Sequence, residues 1–309
     1  MYDIIILGAG PAGLTAGLYA GRAKLNTLII EKAIAGGQIS GTAWVENYPA
    51  APENSTGMSL SERMEEQAKE YCEFKSANIT SVELDGEVKK VTTDDGNTYE
   101  AKVVIISTGA THRKLDVPGE DEFANMGVSY CATCDGPFYT GLDIYVVGGG
   151  DSALEEGLYL TKFANSVTII HRRDEFRASQ VVIDKVQAEP KIKFELDAIV
   201  KEIKGDKEAK SIVVENTKTG ETKELSNPNG DPIGIFPFVG YIPQTNIFEG
   251  KIDMNYGYIV TDADMKTNVE GVFAVGDTRE KSVRQMVTAA GDGCTAAVVA
   301  GRYLEGQQW

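Results

Sequence analysis

The chain opens on Tyr2 to Leu7, an apolar run with β-branched Ile4, Ile5 and Ile6, which reads as a buried parallel strand. It breaks at Gly8-Ala9-Gly10-Pro11-Ala12-Gly13, resumes as a helical pattern over Leu14 to Ala23, and returns to a strand over Thr27 to Ile30 that ends at Glu31. A polar, turn-rich segment follows with Gly36-Gly37-Gln38 and Glu46-Asn47-Tyr48-Pro49, too long for an ordinary connection. Leu60 to Phe74 has helical periodicity, with Met64, Ala68, Tyr71 and Cys72 on one side. Ile79 to Leu84, Glu87 to Thr93 and Thr98 to Glu100 alternate as an antiparallel meander, turning at Asp85-Gly86 and Asp95-Gly96. Lys102 to Ser107 is again a buried strand.

Around His112 to Leu115 a second unit begins. Asp143 to Val147 is an apolar strand running into Gly148-Gly149-Gly150-Asp151-Ser152-Ala153. A helix to about Phe163 and a strand over Val167 to Ile170 follow. Gly8 and Glu31 stand 23 positions apart, as do Gly148 and His171, so one strand–loop–helix–strand unit occurs twice. Strands and turns fill Ile192 to Val239, and at Gly240 to Thr245 the chain crosses back to its first unit. Gly257 to Val260 and Val272 to Val275 read as strands, the second entering Gly276-Asp277. Arg284-Gln285 opens an Ala- and Gly-rich helix to Tyr303, with Cys294 expected in packed core.

The two glycine-rich turns carry the first chemistry. In G-x-G-x-x-G the first glycine makes the tight turn, the second admits a diphosphate to the backbone, and the third lets helix and strand close together. A glycine-rich turn in some other α/β fold is the plainer reading of either motif alone; the strand–loop–helix–strand order argues for nucleotide binding. Glu31 is placed to accept a hydrogen bond from a ribose hydroxyl. At the equivalent place the second copy has His171-Arg172-Arg173, with Arg177 four residues beyond. Guanidinium groups pair with a 2′-phosphate, so the first site suits FAD or NAD and the second NADP(H), against the alternative of a solvated surface cluster.

Between the copies lies Ser129-Tyr130-Cys131-Ala132-Thr133-Cys134-Asp135-Gly136. Two thiols at this spacing are able to close into a small, strained disulfide and, when open, to have a lowered thiolate pKa. A zinc half-site or a structural pair is the alternative. Zinc needs four ligands, and the remaining cysteines and histidines, Cys72, Cys294, His112 and His171, are scattered singly, so no metal site is expected. Cys72 reads as a small buried hydrophobe.

Composition narrows the class further. In 309 residues the formal net charge is −16, which opposes binding to nucleic acid or an anionic membrane. Four cysteines make no secreted disulfide framework, and the uncharged stretch from Ile4 to Gly21 is preceded by Asp3 and broken by five glycines and Pro11, unlike a signal or anchor. A soluble cytoplasmic enzyme is expected.

Taken together, the two fingerprints, Gly-Gly-Gln, Glu-Asn-Tyr-Pro, Cys-Ala-Thr-Cys-Asp-Gly, His-Arg-Arg with Arg177, and Gly-Asp with Arg-Gln resemble bacterial low-molecular-weight thioredoxin reductases over essentially the whole chain, Ser40 to Trp44 being the stretch that departs. The resemblance implies an α/β protein with two Rossmann-like (ββα) nucleotide-binding domains. A discontinuous FAD domain would span 1–112 and 243–309, with the NADPH domain, 113–242, inserted and carrying the dithiol. FAD contacts would be Gly8, Gly10, Gly13, Glu31, Gly37, Gln38, Asn47, Asp277, Arg284 and Gln285. NADPH contacts would be Gly148, Gly150, Ser152, Ala153, His171, Arg172, Arg173 and Arg177. Electrons would pass from NADPH to FAD, to Cys131–Cys134, then to thioredoxin by thiol–disulfide exchange, with Asp135 as general acid or base and with the NADPH domain rotating between steps; Asp135 as a turn-capping residue is the plainer alternative. A homodimer is implied. Rival readings are a reductase of another dithiol carrier (glutaredoxin-like or peroxiredoxin-linked), a ferredoxin-dependent relative, and a non-catalytic redox sensor.

Overall fold

The computed structural model describes residues 1–41, 45 and 47–309; most of the Ser40–Trp44 stretch and Glu46 of the Glu-Asn-Tyr-Pro motif lie outside them. The chain forms two compact units, Met1–Thr111 with Ile242–Trp309, and His112–Tyr241.

In the first unit, β1 (Tyr2–Leu7) runs parallel to β2 (Thr27–Glu31), with Ile4 opposite Thr27 and Leu7 opposite Ile30. On its other side β1 pairs in parallel with β6 (Thr98–Ile106), Leu7 facing Ile106. Alternate residues of β1 serve opposite faces, as the period of a strand requires. Ile4 and Ile6 pack with Ile29 and Ile105 beneath α1 (Pro11–Arg22) and the C-terminal helix Met286–Leu304. Ile5 and Leu7 pack with Leu28, Ile30 and Val104 against Val82, Val91 and Phe248 on the opposite face. Both faces are covered, which is why the strands read as unbroken apolar runs.

Boundaries differ from expectation where a local rule or a tertiary partner prevailed. α1 starts at Pro11 instead of Leu14, since proline at the first helical position forfeits only an amide with no intrahelical partner. α2 (Gly57–Lys69) begins on a capping box between Thr56 and Ser59 and stops five residues early. The residues beyond it include β3 (Glu73–Ser76), which pairs in parallel with the outer edge of β2. An unsatisfied strand edge won over a helical period. The meander forms as β4 (Ile79–Glu83) and β5 (Lys89–Thr93), but its third strand and the following buried strand are one continuous β6, whose end also pairs with Val272–Ala274.

The second unit holds a four-stranded parallel sheet in the order Ile192–Glu195, Ser166–Ile170, Asp143–Val147, Ile233–Pro237. Helices Asp151–Leu160 and Gln180–Ala188 cover one face through Leu154, Leu160, Val182 and Val186. The other face is covered by an antiparallel sheet, Ala198–Gly205, Ala209–Asn216 and Thr222–Ser226. The helix Gln180–Ala188 went unrecognised in the sequence. Among the described residues, no helix is long and apolar enough to cross a membrane.

Candidate active site: a disulfide and two nucleotide cradles

In the first unit the cradle is built on contacts too close for any side chain. Gly8 has φ +107°, and a Cβ there would lie 2.6 Å from the Ser107 carbonyl oxygen; a Cβ on Gly13 would lie 2.0 Å from the Gly8 carbonyl oxygen. Around Gly10 the space is open, as close approach of a diphosphate to the backbone requires. Glu31 accepts from the Ala9 amide at 2.8 Å and the Ala33 amide at 3.0 Å, which ties the strand tip to the turn. Gly37 lies over Gly10, a Cβ on it falling 3.5 Å from the Gly10 Cα, and the Gln38 side-chain amide donates to the Ala110 carbonyl.

Residues distant in sequence complete this cradle's unit. Asn47 donates to the Gln285 side chain at 3.2 Å, across 238 positions. The Arg284 guanidinium stacks 4.5 Å from the Tyr258 ring centroid. Asp277 sits on a 3₁₀ turn, Gly276–Thr278, whose Gly276 amide donates to Asp292; that buried carboxylate also accepts from Lys281 at 2.8 Å. The Asp277 Oδ1 is buried with no hydrogen-bond partner among the described residues, and burial raises its carboxyl pKa against the pull of Lys281 and Arg284. An orphaned buried oxygen beside an open glycine turn fits a polyhydroxyl, diphosphate-bearing group such as FAD.

The second cradle repeats the device. Gly148 has φ +153°, and a Cβ there would meet the Phe238 carbonyl oxygen at 2.6 Å and the Ala153 Cβ at 2.7 Å, so the third position tolerates nothing much larger than alanine. Gly150 is open, and Ser152 is exposed in the first turn of its helix. Asp151 accepts from the Ser179 amide at 2.8 Å. The four charged or polar residues expected to grip a phosphate do not share one environment. Arg172, Arg173 and Arg177 are exposed, none forms an ion pair with another described residue, and all three act electrostatically on His171. His171 is buried: its ring occupies the space above Gly149, where a Cβ would fall 2.2 Å from Nδ1, and Nε2 lies 3.1 Å from the Glu175 carbonyl oxygen. Its ring also stacks on Phe176, and burial lowers its pKa. This histidine supports the loop from beneath, while the arginines face outward.

Cys131 and Cys134 are joined to each other, with Cα atoms 5.3 Å apart, on the single helical turn Ala132–Asp135. The pairing selects a redox or structural disulfide over a zinc half-site. Among the described residues, no group of three His, Cys, Asp or Glu side chains is arranged to hold a metal ion. Cys131 caps the turn, accepting from the Cys134 amide at 3.2 Å through its sulfur. Asp135 follows directly; burial raises its carboxyl pKa, and a hydrogen bond from the Ser129 hydroxyl opposes the rise.

Sequence reading missed the scaffold around this turn. Glu120 is buried and accepts from the Leu115 and Asp116 amides and from the Tyr130 hydroxyl at 2.7 Å. The Tyr130 ring stacks on His112, whose ring also lies 4.7 Å from that of Tyr241. Burial pushes the His112 pKa down to about 4. A lone carboxylate ten residues before an aromatic gives no periodic signal. Of the other cysteines, Cys72 packs against the first core, where burial pushes its thiol up to about 11. Cys294, expected in packed core, is only half-buried, beside the exposed Tyr19 of α1.

Residues 2–293 match the pyridine nucleotide-disulphide oxidoreductase family. The chain belongs to this family. It is 50% identical over 308 residues to a thioredoxin reductase of Peptoclostridium acidaminophilum, covering 99% of this chain and 98% of that protein. It is 46% identical over 308 residues to a thioredoxin reductase of Bacillus subtilis, covering 99% and 95%. Among solved structures, the thioredoxin reductase from Streptococcus pyogenes superposes with a TM-score of 0.92 at 43% identity, covering 99% of both chains. The resemblance to low-molecular-weight thioredoxin reductases, the α/β fold and the oxidoreductase class are thereby borne out.

Proposed function

We propose that this oxidoreductase is an NADPH-dependent thioredoxin-disulfide reductase. The observation that carries the reading is a closed Cys131–Cys134 disulfide in the same unit as a glycine-turn cradle rimmed by three exposed arginines, none ion-paired among the described residues. Gly8, Gly10, Gly13, Glu31, Gly37, Gln38, Asn47, Asp277, Arg284 and Gln285 would hold FAD in the first unit. FAD held by these residues would supply electron-pair transfer between nicotinamide and disulfide. Gly148, Gly150, Ser152 and Ala153 would line the NADPH diphosphate, and Arg172, Arg173 and Arg177 would pair with its 2′-phosphate. After reduction, one thiolate of the pair attacks a thioredoxin disulfide, and its partner thiol resolves the mixed disulfide; Asp135 carries the proton that the leaving sulfur takes.

Because the dithiol and the flavin residues belong to different units, turnover would need the NADPH-binding unit to rotate between steps, about the two chain crossings at Thr111/His112 and Tyr241/Ile242. A homodimer is supported by exposed Val287 and Val298, which share a side of the C-terminal helix with Cys294, next to exposed Tyr19. The net charge of −16 and the scarcity of cysteine favour a cytoplasmic setting free of nucleic acid or membrane.

The test is spectroscopic and kinetic. Purified protein should be yellow, oxidise NADPH in preference to NADH, and reduce thioredoxin over many turnovers. Cys131→Ser and Cys134→Ser should each abolish thioredoxin reduction while NADPH still bleaches the flavin. A colourless protein, or full turnover in either variant, would refute the reading.

A further inference from the structure

One buried hydroxyl stands between the dithiol turn and the rest of its unit. Ser129 is 3% exposed and precedes Cys131 by two residues. Its amide donates to the Ile235 carbonyl at 2.9 Å, which anchors it to the strand Ile233–Pro237 at the edge of the parallel sheet. Its hydroxyl donates to Asp135 Oδ2 at 2.6 Å and accepts from the Cys131 amide at 3.2 Å. A serine hydroxyl has one proton, so accepting from Cys131 while donating to Asp135 leaves it one orientation. The backbone of the first cysteine and the acid after the second are thus joined through a single oxygen, on a residue whose amide is tied to the sheet.

We propose that Ser129 is a positioning residue for the thiol-exchange step, fixing the orientation of the Asp135 carboxyl group on the turn that carries the sulfur pair. The inference rests on the dithiol chemistry proposed above. In that step a thiolate of the pair forms a bond to one sulfur of a partner disulfide. The partner's S–S bond breaks, its second sulfur leaves with the bonding electrons, and the Asp135 proton neutralises it, so Asp135 ends as a carboxylate. A carboxyl free to rotate would deliver that proton less often. A hydrogen bond from a hydroxyl also favours the carboxylate over the acid, so the same contact limits how long Asp135 stays protonated as pH rises.

The surroundings leave Ser129 as the group acting directly on this acid. Burial raises the Asp135 pKa, and the Ser129 hydroxyl is the influence opposing it. The Tyr139 phenol, on the next turn, senses the Asp135 charge but is itself held protonated by burial. The helix Asp151–Leu160 packs against the dithiol turn and carries Asp151, Glu155 and Glu156; Glu156 is also held toward its neutral form by burial. The cysteines form the remaining ionisable pair once reduced.

The experiment compares Ser129→Ala, Ser129→Thr, Asp135→Asn and the double variant Ser129→Ala/Asp135→Asn as holoenzymes, following thioredoxin reduction against pH. Bleaching of the flavin by NADPH, measured in each, reports whether the fold and the upstream reaction are intact. Ser129→Ala should lower the thioredoxin-reducing rate about tenfold, the loss of one hydrogen bond to a charged group. It should also move the alkaline limb of the profile up by about one pH unit. Ser129→Thr, which keeps a hydroxyl, should restore the limb. In the Asp135→Asn background the alanine should cost little more, since the two act as a unit. Losses that multiply in the double variant, or an Ser129→Ala profile with an unmoved limb, would overturn the proposal. Failure of wild type to bleach or to reduce thioredoxin would instead overturn the underlying function.

Discussion

Removing Arg172 and Arg173 should erase most of the discrimination between NADPH and NADH. Both side chains are exposed, neither is ion-paired among the described residues, and with Arg177 they surround the end of the strand Ser166–Ile170. In a chain of net charge −16, three guanidinium groups without an ion-pair partner among the described residues gather at one strand end. An exposed ion pair contributes about 1 kcal/mol, and bidentate phosphate geometry puts these at the upper end of that range. Two such contacts amount to about 2 kcal/mol, a factor of about 30 in affinity for a 2′-phosphate. The Arg172→Ala/Arg173→Ala variant should therefore raise the KM for NADPH about 30-fold and leave that for NADH nearly unchanged. With kcat little altered, the ratio of kcat/KM values for the two nucleotides should collapse toward one.

Ionic strength supplies an independent check. Exposed charges are screened over about 10 Å at 0.1 M salt and far less at low salt. Wild-type KM for NADPH should rise steeply with added salt, and the variant's should not. Melting temperature should not change, because no described residue is ion-paired to either arginine. Steady-state kinetics with both nucleotides at two salt concentrations decide the matter. A variant that keeps the wild-type preference, or a wild type whose KM for NADPH ignores salt, would refute the assignment of the second cradle.

Three further outcomes follow from the same geometry. Gly149→Ala would place a methyl 2.2 Å from the buried His171 Nδ1, so the ring must leave its site; titration with NADPH should show weakened binding and calorimetry a loss of about 1–3 kcal/mol, with flavin content unchanged. Asp277 has a raised carboxyl pKa in the folded chain, so its proton binds more tightly there than in the unfolded state, and stability is lost as pH rises from the model-peptide value of 3.8 through the folded value. Asp277→Asn should accordingly stabilise flavin-free protein at neutral pH and retain less flavin, read by denaturant titration and absorbance. For His112 the sign is opposite: its pKa falls from 6.5 to about 4, so the unfolded chain takes up the proton first and stability is lost as pH falls across that interval. At 1.36 kcal/mol per pH unit the loss approaches about 3 kcal/mol, and His112→Phe should abolish it in urea titrations at pH 7 and pH 4.

What the sequence disclosed and what it concealed divide along one physical line. The two cradles were legible because their requirements are short-range: Gly8 and Gly13 exclude any side chain through contacts within one turn of chain and one neighbouring strand. The repeat of 23 positions then supplied the second copy, with alanine where the packing over Gly148 leaves room for one methyl. Elements that depend on a partner elsewhere were not legible. Glu73–Ser76 became a strand only because the edge of β2 needed pairing, and no periodicity within four residues expresses that. Ser129, Glu120 and Lys281 reach by hydrogen bond to residues 6, 10 and 11 positions away, spacings that belong to no regular element. His171 shows the line most clearly. Its place in the repeat marked it for a phosphate, by analogy with the acid at the end of β2. Yet Gly149, at the variable position of the fingerprint where the first copy has Ala9, leaves a hollow above the strand, and the imidazole fills it. A residue the repeat leaves free to vary thus turned this side chain inward, leaving the outward charge to the arginines that follow.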